Sequence, residues 1–284
     1  MRALRGKWRA VALDLDGTTL NSSQRLTART VDTIRKCDAA GVRVIIATGR
    51  PVMSLKAFVS EIGLPQPVPT VCFNGACATM LDPASDRQEA LVSRGLSKAT
   101  TESILRLCDD KAWCASYCQA HGTSVAPKSA HHEDRLQVFE ALEGLPQERV
   151  KDLWALLKTE NPLKVVTLAE DPPAQAAEAR ALLPPGAVHV VAAELHVEFL
   201  AADVSKGDTL RDLCQEHLGI SMEDVIAFGD NFNDMEMLTL AGQGVAMQNA
   251  KDELKAVATR VSKWTNDEDG VARELEEMFS LSAE

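Results

Sequence analysis

The sequence predicts an α/β protein in which a doubly wound parallel sheet is interrupted by a second α/β domain. Short apolar runs alternate with amphipathic stretches near both ends of the chain, the two end regions share this pattern, and the middle differs from them. Uncharged, β-branched runs are typical of parallel strands that are covered on both faces. A chain of 284 residues can form one large domain or two moderate ones.

The first predicted unit is a strand, a helix and a second strand. Residues 10–15 form an apolar run that ends in acid, and Thr27 can cap a helix that closes at Gly41. The next run, at residues 42–48, is β-branched and uncharged after its second residue. The alternation predicts two parallel strands joined by a crossover helix.

Further elements of the same kind follow on both sides of the middle region. A third strand is predicted at residues 70–73 and a late strand at residues 225–228, preceded by a helix. Another helix is expected at residues 233–240, and residues 244–247 form a further candidate strand. The two ends of the chain therefore predict one sheet.

The middle of the chain predicts a separate α/β layer. Its amphipathic and strand-like stretches are punctuated by prolines. We expect helices at residues 99–111, 147–158 and 173–183 and strands at residues 164–168, 187–191 and 196–199. The predicted domains are a core of residues 1–83 and 200–284 and an inserted domain of residues 84–199.

Charge and composition exclude several classes of protein. The hydrophobic share of 45% and charged share of 25% are those of a globular protein. A net charge of -11 disfavours nucleic acid or an anionic membrane as a partner, because both bind basic surfaces. No apolar run reaches the roughly 18 residues of a membrane span, and the basic N-terminus lacks a secretory signal. A cytoplasmic protein is expected, and a trimmed organelle-targeting segment stays open.

The cysteines indicate reduced thiols. There are seven, an odd number, without the paired spacing of a zinc site. Cys114 and Cys118, one helical turn apart if this segment is helical, lie close to His121, so a metal site there is an alternative reading. Such a site would need two further ligands at a clear spacing.

Two aspartates follow the first strand, at Asp14 and Asp16. Side chains two apart on an extended strand point the same way, so the pair would be neighbours if the strand ran through both. Two carboxylates at about 4 Å repel by roughly 4 kcal/mol at an effective dielectric near 20. The pair therefore predicts a cation at this point.

Other strand ends carry groups that bind charge. Ligands of doubly wound sheets lie beyond the carboxyl ends of the strands. Here those ends carry Asp14 and Asp16, then Thr48-Gly49-Arg50, Asn74-Gly75 and Asp230, and a late helix opens with Lys206-Gly207. Acids, a lysine and glycine-containing turns at one edge predict a site that processes phosphate.

Four of these segments resemble, in order, the motifs of the haloacid dehalogenase superfamily, in its phosphatase branch with a mobile α/β cap. They are DLDGTTL (14–20), ATGR (47–50), VSKG (204–207) and GDNFND (229–234), and NGA (74–76) and NDEDGVA (266–272) resemble the Cof-like group. The resemblance covers both core segments, whereas the inserted domain matches only in size and placement. It implies a Rossmann-like core with a cap.

The resemblance also implies a catalytic pair. Asp14 would be the nucleophile that attacks phosphorus and forms an aspartyl phosphate. Asp16 would protonate the leaving oxygen and later deprotonate the attacking water. The cofactor would be Mg²⁺, held by the Asp14 carboxylate, the Asp16 backbone carbonyl and Asp230, with Asp234 close by.

The remaining motif residues would bind the phosphate. Lys206 would add positive charge near Asp14, and Thr48, Gly49 and Asn233 would donate hydrogen bonds to the phosphoryl oxygens. Arg50 could contact phosphate or substrate.

The expected function is Mg²⁺-dependent hydrolysis of small phosphate monoesters. A phosphoryl transferase of the phosphomannomutase type, which shares such a core and a similar cap, is the alternative. An inactive scaffold that only binds phosphorylated ligands is a third reading. The expected partner is a small phosphorylated metabolite, with no nucleic acid and no membrane, and the protein is expected to be a monomer or a homodimer.

Overall fold

A computed structural model of the protein divides into two compact units. One consists of Met1–Val92 with Ser205–Glu284 and the other of Ser93–Val204. The chain passes from one unit to the other between residues 92 and 93 and again between residues 204 and 205. The sequence predicts these boundaries near residues 83 and 200. The structure describes residues 7–82, 84–85, 90–143, 145–193 and 195–280, so the start of the basic N-terminal segment and residue 83 lie outside the described residues.

The described residues form strands and helices along the whole chain. The strands are β1 (Ala10–Leu13), β2 (Arg43–Ala47), β3 (Val68–Cys72), β4 (Cys77–Leu81), β5 (Ala90–Ser93), β6 (Ala115–Gln119), β7 (Gly122–Val125), β8 (Glu148–Arg149), β9 (Lys164–Leu168), β10 (Val188–Ala192), β11 (His196–Ala201), β12 (Val225–Gly229), β13 (Gln243–Ala246) and β14 (Arg260–Val261). The helices are α1 (Ala28–Ala39), α2 (Val52–Ile62), α3 (Lys98–Asp110), α4 (Ala130–Glu143), α5 (Leu153–Leu156), α6 (Pro172–Leu182), α7 (Lys206–Asp212), α8 (Met235–Leu240), α9 (Asp252–Val257) and α10 (Gly270–Phe279).

The first unit, the core, contains a sheet of the order β14-β13-β12-β1-β2-β3-β4-β5. Strands β14 to β3 run parallel, and β4 pairs antiparallel with β3. Ala10 lies opposite Val225 on one side and Arg43 on the other, and every residue of β1 is buried. The predicted α/β class and the parallel sheet formed by both ends of the chain are confirmed.

Helix α1 shows why the first crossover folds as predicted. The Thr27 hydroxyl accepts a hydrogen bond from the Thr30 amide at 3.1 Å, so the helix has the expected N-cap. Its buried face carries Val31, Ile34 and Cys37 at helical spacing. Gly41 follows with a φ of 87°, a conformation that glycine adopts readily.

The second unit, the cap, contains a sheet of the order β10-β11-β9-β6-β7-β8. It is antiparallel except for the short β7–β8 pair. One apolar cluster includes Ile104 of α3, Tyr117 of β6, Ala176 of α6 and Phe199 of β11. The strands expected in this region are present as β9, β10 and β11.

One predicted helix of the cap is wrong. Residues 147–158 form strand β8 and the four-residue helix α5 instead of one long helix. The buried Gln147 side chain accepts a hydrogen bond from Ser116 at 2.6 Å, and Arg149 pairs with Glu133 and Glu140. These long-range polar contacts hold the segment against the sheet and override its helical pattern.

The cysteine alternative finds no support among the described residues. Cys118 lies on strand β6, so it and Cys114 are not one helical turn apart. All seven cysteines are buried free thiols. Burial raises the pKa of Cys114 to about 11, which disfavours the thiolate that zinc requires. None of the described helices is both long enough and apolar enough to cross a membrane.

Candidate active site

Four neighbouring parallel strands place polar residues at one edge of the core sheet. Asp14 follows β1, Thr48 follows β2, Asn74 lies shortly after β3 and Asp230 follows β12. Strands β12, β1, β2 and β3 are adjacent in that order, so their carboxyl ends meet. This is the edge at which doubly wound sheets bind ligands.

The segment after β1 turns immediately. The strand ends at Leu13, and Leu15–Thr19 forms a tight helical turn in which Gly17 has a φ of 77°. The strand therefore does not run through both aspartates. Asp14 is buried, whereas the side chain of Asp16 is 43% exposed, so the two carboxylates lie in different environments.

Lys206, the first residue of α7, connects two of the acids. Its ammonium nitrogen lies 2.6 Å from Asp14 Oδ1 and 2.8 Å from Asp234 Oδ1, and the lysine side chain is fully buried. Burial alone would lower the pKa of Lys206, but these two carboxylates outweigh it and raise the pKa. Lys206 is therefore a fixed positive charge beside Asp14.

Asp234 serves as an anchor. Its Oδ1 accepts from Lys206, and its Oδ2 accepts from the backbone amides of Asp230 and Asn231, each at 3.1 Å. Both oxygens are thus engaged by the protein. Asp234 therefore holds both the Lys206 ammonium and the backbone at the start of the GDNFND segment in position.

Asp230 lies against the turn that follows β1. Its Oδ1 accepts from the Thr18 hydroxyl at 3.0 Å. A Cβ on Gly17 would lie 2.5 Å from Asp230 Oδ2, so only glycine lets the carboxylate approach the turn so closely. Burial first, and then the charge of Asp234, raises the pKa of Asp230 to about 6.

The carboxylates exceed the cations in this cluster. Carboxylate oxygens of Asp14, Asp230 and Asp234 lie within 4.8 Å of one another, and Lys206 supplies one positive charge. Burial raises the pKa of Asp14 well above its ordinary value, and the neighbouring carboxylates add to this shift, while Lys206 opposes it. When all three carboxylates are ionised, they exceed the one ammonium by two negative charges, and oxygen donors are the ligands of hard divalent ions. The cluster fits such an ion.

The carboxylate of Asp16 is paired with an arginine from the turn after β2. Arg50 donates to both carboxylate oxygens of Asp16, Nε to Oδ2 at 2.8 Å and a terminal nitrogen to Oδ1 at 2.6 Å. The same guanidinium also contacts the amide oxygen of Gln24. Bidentate pairs of this type are among the stronger side-chain contacts.

The predicted phosphate-binding groups are joined by a residue that the sequence analysis left unassigned. Asn74 donates its backbone N–H to the Thr48 carbonyl at 3.1 Å and accepts at Oδ1 from Asn233 Nδ2 at 2.9 Å. A Cβ on Gly49 would lie 2.9 Å from the same Oδ1. Asn233 and Gly49 therefore lie against the Asn74 side chain, and Thr48 is joined to its backbone.

Two asparagines that the sequence analysis left unassigned, Asn249 and Asn266, bind the turn after β1 through hydrogen bonds. Asn249 Nδ2 donates to the Gly17 carbonyl at 2.8 Å, and Asn249 Oδ1 accepts from the backbone N–H of Asn266 at 3.0 Å. Asn266 Nδ2 then donates to the Leu20 carbonyl at 2.9 Å. The only signal for these residues in the sequence was the NDEDGVA stretch, which carries Asn266.

Comparison with known proteins gives consistent matches over nearly the whole chain. A family model for haloacid dehalogenase-like hydrolases matches residues 11–275. Two relatives from Bacillus subtilis are described as 5-amino-6-(5-phospho-D-ribitylamino)uracil phosphatases. YitU is 31% identical over 95% of this chain and 97% of its own length, and YwtE is 28% identical over 96% and 98%.

A solved structure has the same fold. A haloacid dehalogenase-like hydrolase from Bacteroides thetaiotaomicron superposes with a TM-score of 0.83 over 95% of this chain and 99% of its own, at 24% identity. Its likeness extends through both units, which fits a doubly wound core with a cap. On the family match and the near full-length relatives, this chain belongs to the haloacid dehalogenase-like hydrolases and is a phosphoric monoester hydrolase of their Cof-like phosphatase branch.

Proposed function

We propose that the protein is a Mg²⁺-dependent phosphatase that hydrolyses small phosphate monoesters through an aspartyl phosphate on Asp14. The observation that carries the proposal is the buried cluster in which Lys206 contacts Asp14 while Asp230 lies within 4.8 Å. A nucleophilic carboxylate needs a nearby positive charge to accept a phosphoryl group, which is itself anionic. The cluster provides one cation and the ligands for another.

The metal site would use oxygen ligands from three residues. The carboxylates of Asp14 and Asp230 and the backbone carbonyl of Asp16 would hold Mg²⁺, which would supply positive charge against the phosphoryl oxygens. The close approach of Asp230 to Gly17 supports this set, because it brings the carboxylate up to the peptide that follows Asp16.

In the first half of the reaction, a carboxylate oxygen of Asp14 bonds to phosphorus and the bond from phosphorus to the ester oxygen breaks. Asp16 gives its carboxyl proton to the departing oxygen, which leaves as an alcohol. Because Arg50 engages both oxygens of Asp16, this pair has to open before the proton can be delivered.

In the second half, water attacks phosphorus and Asp16 takes the proton of that water. The bond from phosphorus to the Asp14 oxygen breaks, inorganic phosphate leaves, and both aspartates return to their starting states. Throughout, Thr48, Gly49 and Asn233 donate hydrogen bonds to the phosphoryl oxygens, where donors of this kind are each worth a few kcal/mol in a transition state.

The substrate class is small phosphorylated metabolites. The activity in the names of the two Bacillus relatives makes 5-amino-6-(5-phospho-D-ribitylamino)uracil the first compound to test. Sugar phosphates, phosphoglycolate-like acids and pyridoxal phosphate form the remainder of the panel. The negative net charge of -11 disfavours a nucleic acid and supports a small ligand, bound together with the metal ion.

The test is hydrolysis by the purified protein. A generic aryl phosphate should be hydrolysed with Mg²⁺ present and should not be hydrolysed after EDTA is added. The natural substrate should then stand out in a kinetic screen of the phosphometabolite panel. Absence of hydrolysis across the panel with Mg²⁺ would refute the proposal, and conversion of a hexose 1-phosphate to its 6-phosphate would indicate the phosphomannomutase-type alternative.

A further inference from the structure

Three consecutive residues after β3 have left-handed backbone conformations. Phe73, Asn74 and Gly75 have φ values of 52°, 56° and 103°. Glycine and asparagine tolerate this region, but a bulky residue such as Phe73 rarely enters it. Backbone in sparsely populated regions persists only where surrounding contacts enforce it, and such residues concentrate at functional sites.

The contacts that enforce this turn are specific. The Phe73 amide donates to the Arg50 carbonyl at 3.1 Å, and the Phe73 side chain is 1% exposed. The Gly75 carbonyl accepts from the Thr209 hydroxyl at 2.6 Å. A Cβ on Gly75 would lie 2.2 Å from the Ser205 carbonyl oxygen, so the turn packs directly against the residue that precedes Lys206.

The turn places the Asn74 amide between the groups assigned to the phosphoryl oxygens. Its Oδ1 accepts one hydrogen of Asn233 Nδ2. An amide is planar, so holding one N–H fixes the direction of the other. Its backbone N–H holds the Thr48 carbonyl, whose peptide bond carries the Gly49 amide.

We propose that Asn74 is a positioning residue of the phosphatase reaction, acting through Asn233 to direct its amide toward the phosphoryl oxygens. The inference rests on the proposed function and adds a residue to it. It explains why the chain keeps asparagine at a position where glycine would satisfy the backbone.

Two variants separate the side chain from the backbone. Asn74→Gly removes the amide and relieves the left-handed conformation, and Asn74→Ala removes the amide and keeps that conformation strained. We expect kcat for an aryl phosphate to fall at least tenfold in both, with a smaller change in KM. The melting temperature of Asn74→Gly should equal or exceed that of the wild type. A purely structural role would instead lower stability and kcat together.

The matched control is Ala112→Gly in the cap, where a residue outside the assigned site has a φ of 53°. It should also equal or raise the melting temperature, and it should leave kcat unchanged. A kcat of Asn74→Gly within twofold of the wild type would overturn the proposal.

A double variant tests whether Asn74 acts through its neighbour. Since the two residues work as a unit, Asn74→Gly combined with Asn233→Ala should lose no more activity than Asn233→Ala alone. Losses that multiply would mean that Asn74 acts independently, which overturns the proposal.

A measurement without turnover keeps this inference separate from the proposed function. The Asn233 side-chain amide resonances should shift in Asn74→Gly and stay in place in Ala112→Gly. If the wild type hydrolysed no phosphate, the proposed function would fail. If the resonances did not shift, the positioning contact itself would be refuted.

Discussion

The core and the cap each contain a buried lysine, and the two lysines have different surroundings. In the core, Lys206 contacts Asp14 and Asp234, with Asp230 in the same cluster. In the cap, Lys164 Nζ lies 2.5 Å from Glu198 Oε1. The nitrogen Nε2 of His196 lies 3.3 Å from that same oxygen.

The pKa values separate these two surroundings. Burial would raise the pKa of Glu198, but Lys164 and then His196 outweigh it and lower the pKa to about 2. In the core, by contrast, burial and neighbouring carboxylates leave Asp14 and Asp230 with raised pKa values despite Lys206. The cap pair is compensated within the protein, whereas the core cluster is short of positive charge. An unmet charge at a strand end indicates a ligand site, and a compensated pair indicates structure.

The largest expected effect is that of Asp14→Asn on turnover. Without the nucleophile, kcat should fall on the order of 10⁴-fold or more. The variant removes one of the crowded buried carboxylates, so the metal-free protein should melt no lower than the wild type. The measurements are phosphate release and a thermal melt in EDTA.

Asp252→Asn is the matched control, because Asp252 is an exposed acid on α9. It should leave both turnover and melting unchanged. Intact turnover in Asp14→Asn would end the interpretation of the core cluster as the reacting site.

The next effect compares the two lysines directly. Lys206→Met and Lys164→Met each leave buried carboxylates uncompensated, and breaking a buried pair in this way typically costs 3–5 kcal/mol. Both variants should therefore melt well below the wild type. Added Mg²⁺ should recover part of the loss in Lys206→Met, because the ion can replace the missing charge, and should recover none in Lys164→Met.

Thermal melts with and without Mg²⁺ make this comparison. Equal recovery in the two variants, or recovery in neither, would remove the distinction between a ligand cluster and a structural pair.

A smaller effect concerns the pH dependence of the cap. The folded-state pKa of Glu198 is about 2 and its ordinary value is 4.5. A depressed acid pKa adds stability that is fully present above pH 4.5 and is lost as pH falls toward 2, on the order of 3 kcal/mol. Denaturant unfolding of the wild type should show this loss between these limits.

Glu198→Gln should lower stability at pH 7 and flatten the same acid limb. An unchanged acid limb in this variant would assign the acid sensitivity to other carboxylates.

Features of the fold and the site that depend on neighbouring residues could be predicted from the sequence, whereas those that depend on contacts between distant segments could not. Thr27, Gly41 and the apolar run of β1 act locally, so the first crossover was predicted and confirmed. Strand-end acids also carry a local signal, which is why the sequence alone predicts Asp14, Asp16 and Asp230 as site residues.

Contacts between distant segments carried no such signal. The pairing of Arg50 with Asp16, separated by 34 positions, depends on how the turn after β2 lies against the turn after β1. Segment 147–158 has a helical pattern, yet its polar contacts to other elements decide its structure. Asn74 stood in a recognised motif, but its role becomes visible only when Asn233, 159 positions away, is placed beside it.

The smallest effect expected is that of Asn249→Ala. This variant tests whether a hydrogen bond to the turn after β1 affects activity when the carboxylates and Lys206 are left unchanged. Asn249 is exposed, and it holds the Gly17 carbonyl and the Asn266 amide. A hydrogen bond of this kind contributes about 1 kcal/mol, so kcat should fall roughly fivefold. Hydrogen exchange of residues 17–20 should become faster, because the turn loses its restraint at Gly17.

Gln243→Ala is the control, since it removes another side-chain amide, at the opposite end of β13, and should change neither measurement. If Asn249→Ala left both kcat and exchange at the values of this control, the turn would be held by Thr18, Thr19 and their carboxylate and carbonyl partners alone. Preorganisation of the site would then arise within the charged cluster itself.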